Sequence, residues 1–395
     1  MENFSYCSPT QFVFGRDAET QVGENLKALG AKKVLIHYGK GSVVESGLLD
    51  RIIASLDASS VAHLSLGGVR PNPEVTLVRE AIDLVRNEGI DFILAVGGGS
   101  VIDSAKAIAA GAPFGGDVWE LYSAAGRGEV TLPEGAVPLG CVLTIPAAGS
   151  EASAFTVISN DELGLKSSMS SRYLRPQVAF MNPELTCTLP PYQSAAGATD
   201  MFAHLLERFF SESGSVPVTD NMIISLMRTI RTCAPRILED PHDYEARANI
   251  MWAGMLAHCG IAGCGRIEDW STHGLEHELS AHDVRVTHGA GLAVMFPAWM
   301  RFVYQENPAR FVLYGREVFG LMPTDDMLAD ARRAIEATEQ FFTSLGMPRT
   351  LAELEIREDD IEGMLPTLIQ NKGELFGSFK KLTRDDAREI YRLAL

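Results

Sequence analysis

What this chain lacks narrows its work before any motif is read. It has no C-x-x-C pair, because Cys7, Cys141, Cys187, Cys233, Cys259 and Cys264 are scattered along 395 residues. Cys259 and Cys264 lie five apart in Cys-Gly-Ile-Ala-Gly-Cys, which is not zinc-finger spacing, so buried reduced thiols are the expectation. Positive charge is scarce: 34 Lys and Arg face 51 Asp and Glu, giving a net charge of −17 and a pI near 5. That balance argues against nucleic acid or an anionic membrane as the main partner. No apolar stretch has the length of a membrane span. The opening Met-Glu-Asn-Phe-Ser-Tyr lacks the basic flank and apolar run of a signal peptide. The expectation is a soluble cytoplasmic protein. Internal repeats and low-complexity linkers are absent too.

What is present is a hydrophobic content of 46% over 395 residues, enough for more than one core, so two domains are expected. The first half alternates apolar runs with amphipathic segments. Strands are predicted at Gln11–Gly15, Lys33–Tyr38, Val61–Leu64, Asp91–Val96, Leu139–Thr144 and Gln177–Met181. Helices are predicted from about Ser42 to Leu56, from Pro73 to Arg86, and after Gly99 to about Ala110. Continuous apolar strands alternating with helices predict a parallel sheet covered on both faces. From Leu189 onward helical periodicity dominates. Thr219 reads as the cap of a helix through Arg231 that Pro235 limits, and Asp243–Cys259 and a Thr383-capped tail read as further helices. The predicted domains are 1–185, α/β, and 186–395, all-α, packed closely with a cleft between them.

Four of the nine histidines fall between His273 and His288. His273 and His277 are four apart and share a helical face. Neutral imidazole is the commonest side-chain ligand of transition metals, so a metal site is one reading of this cluster. Capped or surface histidines on a helical hairpin are the other. Asp200 and His204, in Asp-Met-Phe-Ala-His, repeat the i, i+4 spacing on a second helix. Alone they could be a hydrogen-bonded pair that stiffens the helix. Taken with His273 and His288 they make a four-ligand Asp/His3 site for one divalent ion.

Gly97-Gly98-Gly99-Ser100-Val-Ile-Asp103 sits where a buried strand hands over to a helix. Outward amides and the helix dipole suit a pyrophosphate there. An ordinary strand–helix turn, with Ser100 as cap and Asp103 closing a capping box, explains the same residues. This turn, Ile145-Pro-Ala-Ala-Gly-Ser-Glu151, Asp200-x3-His204, and His273-x3-His277 with a later His288-Gly resemble the iron-containing alcohol dehydrogenase family, nearest its butanol dehydrogenase branch. The likeness spans nearly the whole chain. Ala148 departs from it, because many members carry Thr there, and a hydroxyl contact at that point is in doubt.

The resemblance implies a Rossmann-like N-terminal domain, an all-helical C-terminal domain, a nicotinamide cofactor and a divalent metal, Fe2+ or alternatively Zn2+. It makes Asp200, His204, His273 and His288 the ligands and puts His277 beside nicotinamide and substrate. It implies cofactor contacts from Gly97, Gly98, Gly99, Ser100, Asp103, Thr144 and Lys166, the last otherwise an ordinary loop lysine. The strand Gln11–Gly15 alternates as an edge strand does; the resemblance implies that it helps form a homodimer, while an edge within the chain fits the residues equally. His282 matches no ligand position and reads as a loop histidine.

In Tyr38-Gly39-Lys40-Gly41-Ser42 no acid is present for a ribose 2′-hydroxyl, whereas Lys40 and Ser42 favour NADP(H) over NAD(H). The expected activity is hydride transfer between NAD(P)(H) and a small aliphatic alcohol or aldehyde. Two rivals remain: a dehydroquinate synthase-like lyase, and a catalytically silent nucleotide-binding protein on the same fold.

Overall fold

The computed structural model describes residues 1–122, 133–212, 214 and 216–395. They divide into two compact units, Cys7–Thr188 and Leu189–Leu395, with Met1–Tyr6 belonging to the second. That short segment is held there by the Glu2 amide, which donates to the Gly265 carbonyl at 2.9 Å. The Tyr6 hydroxyl lies 3.6 Å from Cys259 Sγ.

The unit from Cys7 to Thr188 runs β1 (Gln11–Phe14), α1 (Val22–Ala28), β2 (Lys33–Tyr38), α2 (Ser42–Glu45), α3 (Leu48–Ala58), β3 (Ala62–Leu66), α4 (Val75–Glu88), β4 (Phe92–Gly97), α5 (Gly99–Gly111), β5 (Leu139–Leu143), β6 (Phe155–Asn160), β7 (Leu165–Ser170) and β8 (Val178–Met181). Six strands form one parallel sheet in the order β1-β8-β5-β4-β2-β3. Val34 and Ile36 of β2 and Leu94 and Val96 of β4 share a cluster with Val22 and Leu26 of α1 and Ile52 and Leu56 of α3. The intervening Leu35, Ile93 and Ala95 point to the other face and are equally buried. Both faces are therefore covered, as the continuous apolar strands require. The chain leaves β2 for β3 on one side and then returns to β4 on the other. The sheet's switch point lies between β2 and β4, where ligands of such sheets bind at the carboxyl ends of the strands.

The unit from Leu189 is helical: α6 (Pro191–Phe209), α7 (Pro217–Glu239), α8 (Tyr244–His258), α9 (Ser271–His282), α10 (His288–Val303), α11 (Pro308–Phe319), α12 (Met327–Ser344), α13 (Glu358–Lys372) and α14 (Arg384–Leu393). Its core gathers around Phe202, Phe209, Phe210, Phe296 and Trp299. No helix among the described residues is long and apolar enough to cross a membrane.

Several local expectations change. The helix predicted from Ser42 to Leu56 is two helices, broken where Gly47 takes φ 67°. The antiparallel hairpin β6–β7 is new, and it carries Lys166 on a strand rather than in a loop. α7 begins at Pro217, before Thr219, and continues through Pro235. Thr219 instead donates to the Cys264 carbonyl at 2.9 Å. The six cysteines are free, but Cys7 is exposed.

The hairpin is pinned to α5 by polar groups. Asp103 accepts from Ser150 Oγ and from the Val157 amide at 3.0 Å. The buried Lys106 ammonium donates to Phe155 O at 2.8 Å and to Ser150 Oγ and Ser153 O at 3.0 Å each.

His37 is buried between Leu66 O, 3.0 Å from Nδ1, and Ser104 Oγ, 2.9 Å from Nε2. Burial, opposed only partly by the Leu66 carbonyl, lowers its pKa from 6.5 to about 4. Between those values the unfolded chain binds a proton that the folded chain refuses. Stability from this group is complete above pH 6.5 and falls as pH drops toward 4, by roughly 3 kcal/mol. Urea denaturation followed from pH 7 to pH 4 should show that slope, and His37→Gln should lose this part of it.

Candidate functional site

α6 is buried along almost its whole length, from Ser194 to Phe209, yet it carries Asp200, His204, Glu207 and Arg208. Helical spacing sets Asp200, His204 and Glu207 on one stripe. α9 brings His273 and α10 begins at His288, and three imidazole nitrogens converge on a single oxygen. Asp200 Oδ1 lies 3.5 Å from His204 Nδ1, 3.9 Å from His273 Nε2 and 3.7 Å from His288 Nε2. The ligand atoms of Asp200, His204 and His273 all fall within 4.8 Å of one another. His288 reaches the hub because Gly289 has no side chain: a Cβ there would lie 2.1 Å from Ala196 O on α6.

These residues fit a divalent ion. Asp200 Oδ1, His204 Nδ1 and His273 Nε2 are buried and make no hydrogen bond among the described residues, an arrangement that costs about 1–3 kcal/mol per orphaned group unless something else fills it. Ligands at about 2.0–2.2 Å from a tetrahedral ion stand roughly 3.4 Å apart, close to the separations seen.

Behind the cluster are two carboxylates. Glu207 Oε1 lies 2.8 Å from His273 Nδ1, and Glu276 Oε2 accepts from His288 Nδ1. Both hold Nδ1 and leave Nε2 for Asp200. Burial raises the Asp200 pKa, but the charges of His204 and His288 and the contact with His273 overcome it and hold the carboxyl well below its usual range. His204 is pushed well down, by burial first. His273 is raised, because Asp200 and Glu207 outweigh burial.

His277 is one turn beyond His273 on α9. Its ring is 6.5 Å from that of His273 and 5.4 Å from that of His288, outside the Asp200 group. His282 is the last residue of α9 rather than a loop residue, with Nε2 3.4 Å from Asp360.

In the α/β unit, the turns after β2, β4 and β5 and the start of α5 supply the other expected residues except Lys166, which is on β7. α5 starts at Gly99 with Gly98 as cap and no side-chain capping bond, so the Ser100–Asp103 capping box does not form. The glycines are required by their neighbours. A Cβ at Gly97 would meet Val101 at 2.5 Å, one at Gly98 would meet Ile145 at 2.9 Å, and one at Gly99 would meet Ala148 at 3.2 Å. Thr144 donates its amide to Gly97 O at 3.0 Å. Gly39, at the end of β2, faces Val101 of α5, with 3.9 Å from its would-be Cβ. Lys166 is half-buried, and its charge acts on Asp103. Burial raises the Asp103 pKa against Lys106 and Ser150, and its two oxygens are taken by Ser150 and Val157. Lys40 and Ser42 are exposed.

Sequence reasoning missed four groups. Glu207 was findable as the i+7 continuation of Asp200 and His204. Glu276, beside His277, had no distinguishing spacing. His258 comes from α8 to lie against His204, with ring centroids 4.2 Å apart and planes tilted by 37°. Glu45 folds back so that its carboxylate would lie 3.0 Å from a Cβ on Gly41, an acid beside the turn that contained none.

A parallel-sheet unit followed by a helical unit with a buried Asp/His cluster defines the class: a two-unit α/β-plus-α protein equipped for a divalent ion. The chain belongs to the iron-containing alcohol dehydrogenase family. The family's model matches residues 9–183, and its C-terminal model, Fe-containing alcohol dehydrogenase family, C-terminal, matches residues 194–395. It is 37% identical over 393 residues to NADH-dependent butanol dehydrogenase A of Clostridium acetobutylicum, covering 99% of each chain. It is 36% identical over 397 residues to the NADPH-dependent aldehyde reductase YqhD of Escherichia coli, covering all of both. The crystal structure of NADH-dependent butanol dehydrogenase A from Thermotoga maritima matches with a TM-score of 0.95 at 38% identity, over 100% of this chain and 99% of that one.

Two variants probe the convergence on Asp200. His273→Ala should lose metal on gel filtration while the wild type retains about one equivalent by elemental analysis. Gly289→Ala should force α10 off Ala196, lowering both the melting temperature and the metal content.

Proposed function

We propose that this protein is an NAD(P)H-dependent alcohol dehydrogenase or aldehyde reductase that uses one divalent ion at Asp200, His204, His273 and His288. The observation that carries the reading is the meeting of three imidazole nitrogens at one orphaned carboxylate oxygen, 3.5 to 3.9 Å away. When bound, the ion supplies Lewis acidity to a substrate oxygen and the dinucleotide supplies or accepts the hydride. The four side chains fix the ion, with Fe2+ the first choice from the family and Zn2+ compatible with the same donors. His288 is the one ligand with an appreciably exposed side chain, at 28%, so substrate would approach from its side. His277, one turn from His273, is our candidate for carrying the alcohol proton outward. Short aliphatic substrates are supported by the butanol dehydrogenases among the relatives.

For the dinucleotide we assign the pyrophosphate to the amides of Gly98, Gly99 and Ser100 at the switch point, with Gly97 and Thr144 shaping the turn and Lys166 near it. Asp103 then serves by anchoring the hairpin. Lys40 and Ser42, with Gly39 giving the backbone room, support NADP(H), while Glu45 opposes a 2′-phosphate. We assign residues 1–185 to the dinucleotide and 186–395 to the metal. β1, an edge strand whose Phe14 is 39% exposed, is our candidate face for a homodimer, and the cytoplasm our expected compartment. A lyase or a silent binding protein is not favoured, since the full-length relatives are dehydrogenases and reductases.

Anaerobically purified protein should hold about one iron or zinc and oxidise NADPH or NADH against an aldehyde panel. Turnover unchanged by complete chelation would overturn the reading. His277→Ala should reduce turnover by roughly 100-fold with metal content intact. Lys40→Ala should shift the ratio of kcat/KM values toward NADH and Glu45→Gln toward NADPH, each by about tenfold.

A further inference from the structure

Glu207 does more than neighbour the cluster. It stands on α6 two turns after Asp200, and its side chain is fully buried. One oxygen, Oε1, accepts from the main-chain amide of His273 at 2.8 Å and lies 2.8 Å from its ring Nδ1. The other, Oε2, accepts from the Trp270 amide at 2.8 Å. Trp270 is the cap residue of α9, takes φ 63°, and offers no side-chain capping bond of its own. A left-handed, non-glycine cap is strained and persists only where its surroundings fix it. Here the fixing group comes from another helix.

We propose that Glu207 is a positioning residue of the metal centre: it caps α9 from α6 and locks His273 as the Nδ1–H tautomer, aiming Nε2 at Asp200. This rests on the reading of Asp200, His204, His273 and His288 as ligands. A carboxylate on the far nitrogen fixes ring plane and tautomer and makes the imidazole a better donor. The single carboxylate ties three things together: the end of α9, the rotation of His273 and the face of α6 that bears Asp200 and His204. Glu276 holds His288 in the same way, but from the neighbouring helix and on a partly exposed ring. Of these two carboxylates, Glu207 is the one that shares a helix with two ligands, Asp200 and His204.

The rival account is that Glu207 is a buried charge kept for stability, answering Lys372, which faces Glu207, Glu278 and Asp269. Glu278 tests that account. It is buried on the same α9, faces the same lysine and accepts from Asn371 at 2.9 Å, but it is outside the Asp200 group.

The experiment uses the full chain, stripped of metal and titrated with Co2+ and Zn2+. Competition with a chromogenic chelator gives affinity, the visible Co2+ spectrum gives ligand geometry, and apo-protein melting gives stability. Glu207→Gln keeps an acceptor but removes the charge, and should weaken Zn2+ binding about 10- to 100-fold and alter the Co2+ bands. Glu278→Gln should lower the melting temperature while leaving affinity within about threefold and the bands unchanged. Should Glu207→Gln not fold, Glu207→Asp keeps the charge and retracts it from the ring, with the same two readouts. Wild-type affinity and bands in the folded Glu207 variant, or equal losses in Glu278→Gln, would overturn the proposal. Failure of the wild type to bind either ion would instead remove the metal reading beneath it.

Discussion

A carboxylate withdrawn from water must be answered by charge, hydrogen bonds or an ion, and Asp200 sets that demand for the helical unit. It lies on a helix buried from Ser194 to Phe209 and is itself 4% exposed, where burial alone raises its pKa. His204, His273 and His288 converge on it, and each is held in turn. Glu207 holds His273 and Glu276 holds His288, while the Arg208 guanidinium donates to His204 O at 2.9 Å and lies 3.1 Å from His258. Removing the central acid would leave three inward imidazoles with nothing to face.

The geometry also needs helices that touch at their backbones. Gly289 against Ala196 lets α10 start beside α6. Gly291 is pressed on Glu276, where a Cβ would meet the side chain at 2.7 Å. Gly274 leaves room for the Lys372 stem, 2.5 Å from where a Cβ would stand. The glycines of the β4–α5 turn do the same against Val101, Ile145 and Ala148. In both units the absence of a side chain brings chemistry-bearing residues within reach, so these glycines matter for the distances they permit.

The sequence was legible where pattern and structure share a period. Apolar runs located β2, β4, β5 and β8, and i, i+4 spacing placed Asp200 beside His204 on one helical face. It was silent where a contact joins distant segments. β6 and β7 alternate polar with apolar residues, and β6 is tied to α5 through Asp103 and Lys106, partners distant in sequence, so no apolar run announced the hairpin. Pro235 was read as a stop, but α7 is long enough to continue past one missing amide. Glu45 is three residues past the turn it approaches, and the single helical turn of α2 brings its carboxylate back toward Gly41. Glu207 was visible in spacing and went unread because a glutamate on a helix is usually a solvated one.

The short segment Met1–Tyr6 has a consequence for how the molecule is made. Its partners, Gly265 and Cys259, are synthesised some 250 residues later, the Tyr6–Cys259 pair being 253 positions apart. Cys7–Thr188 is one continuous stretch and can complete its sheet while translation proceeds, since domains generally fold as units from the N-terminal side. The helical unit is discontinuous and closes only after its own helices exist. Residues translated well before their partners thus settle only with them, and the docking of Glu2 and Tyr6 marks that the later unit has formed.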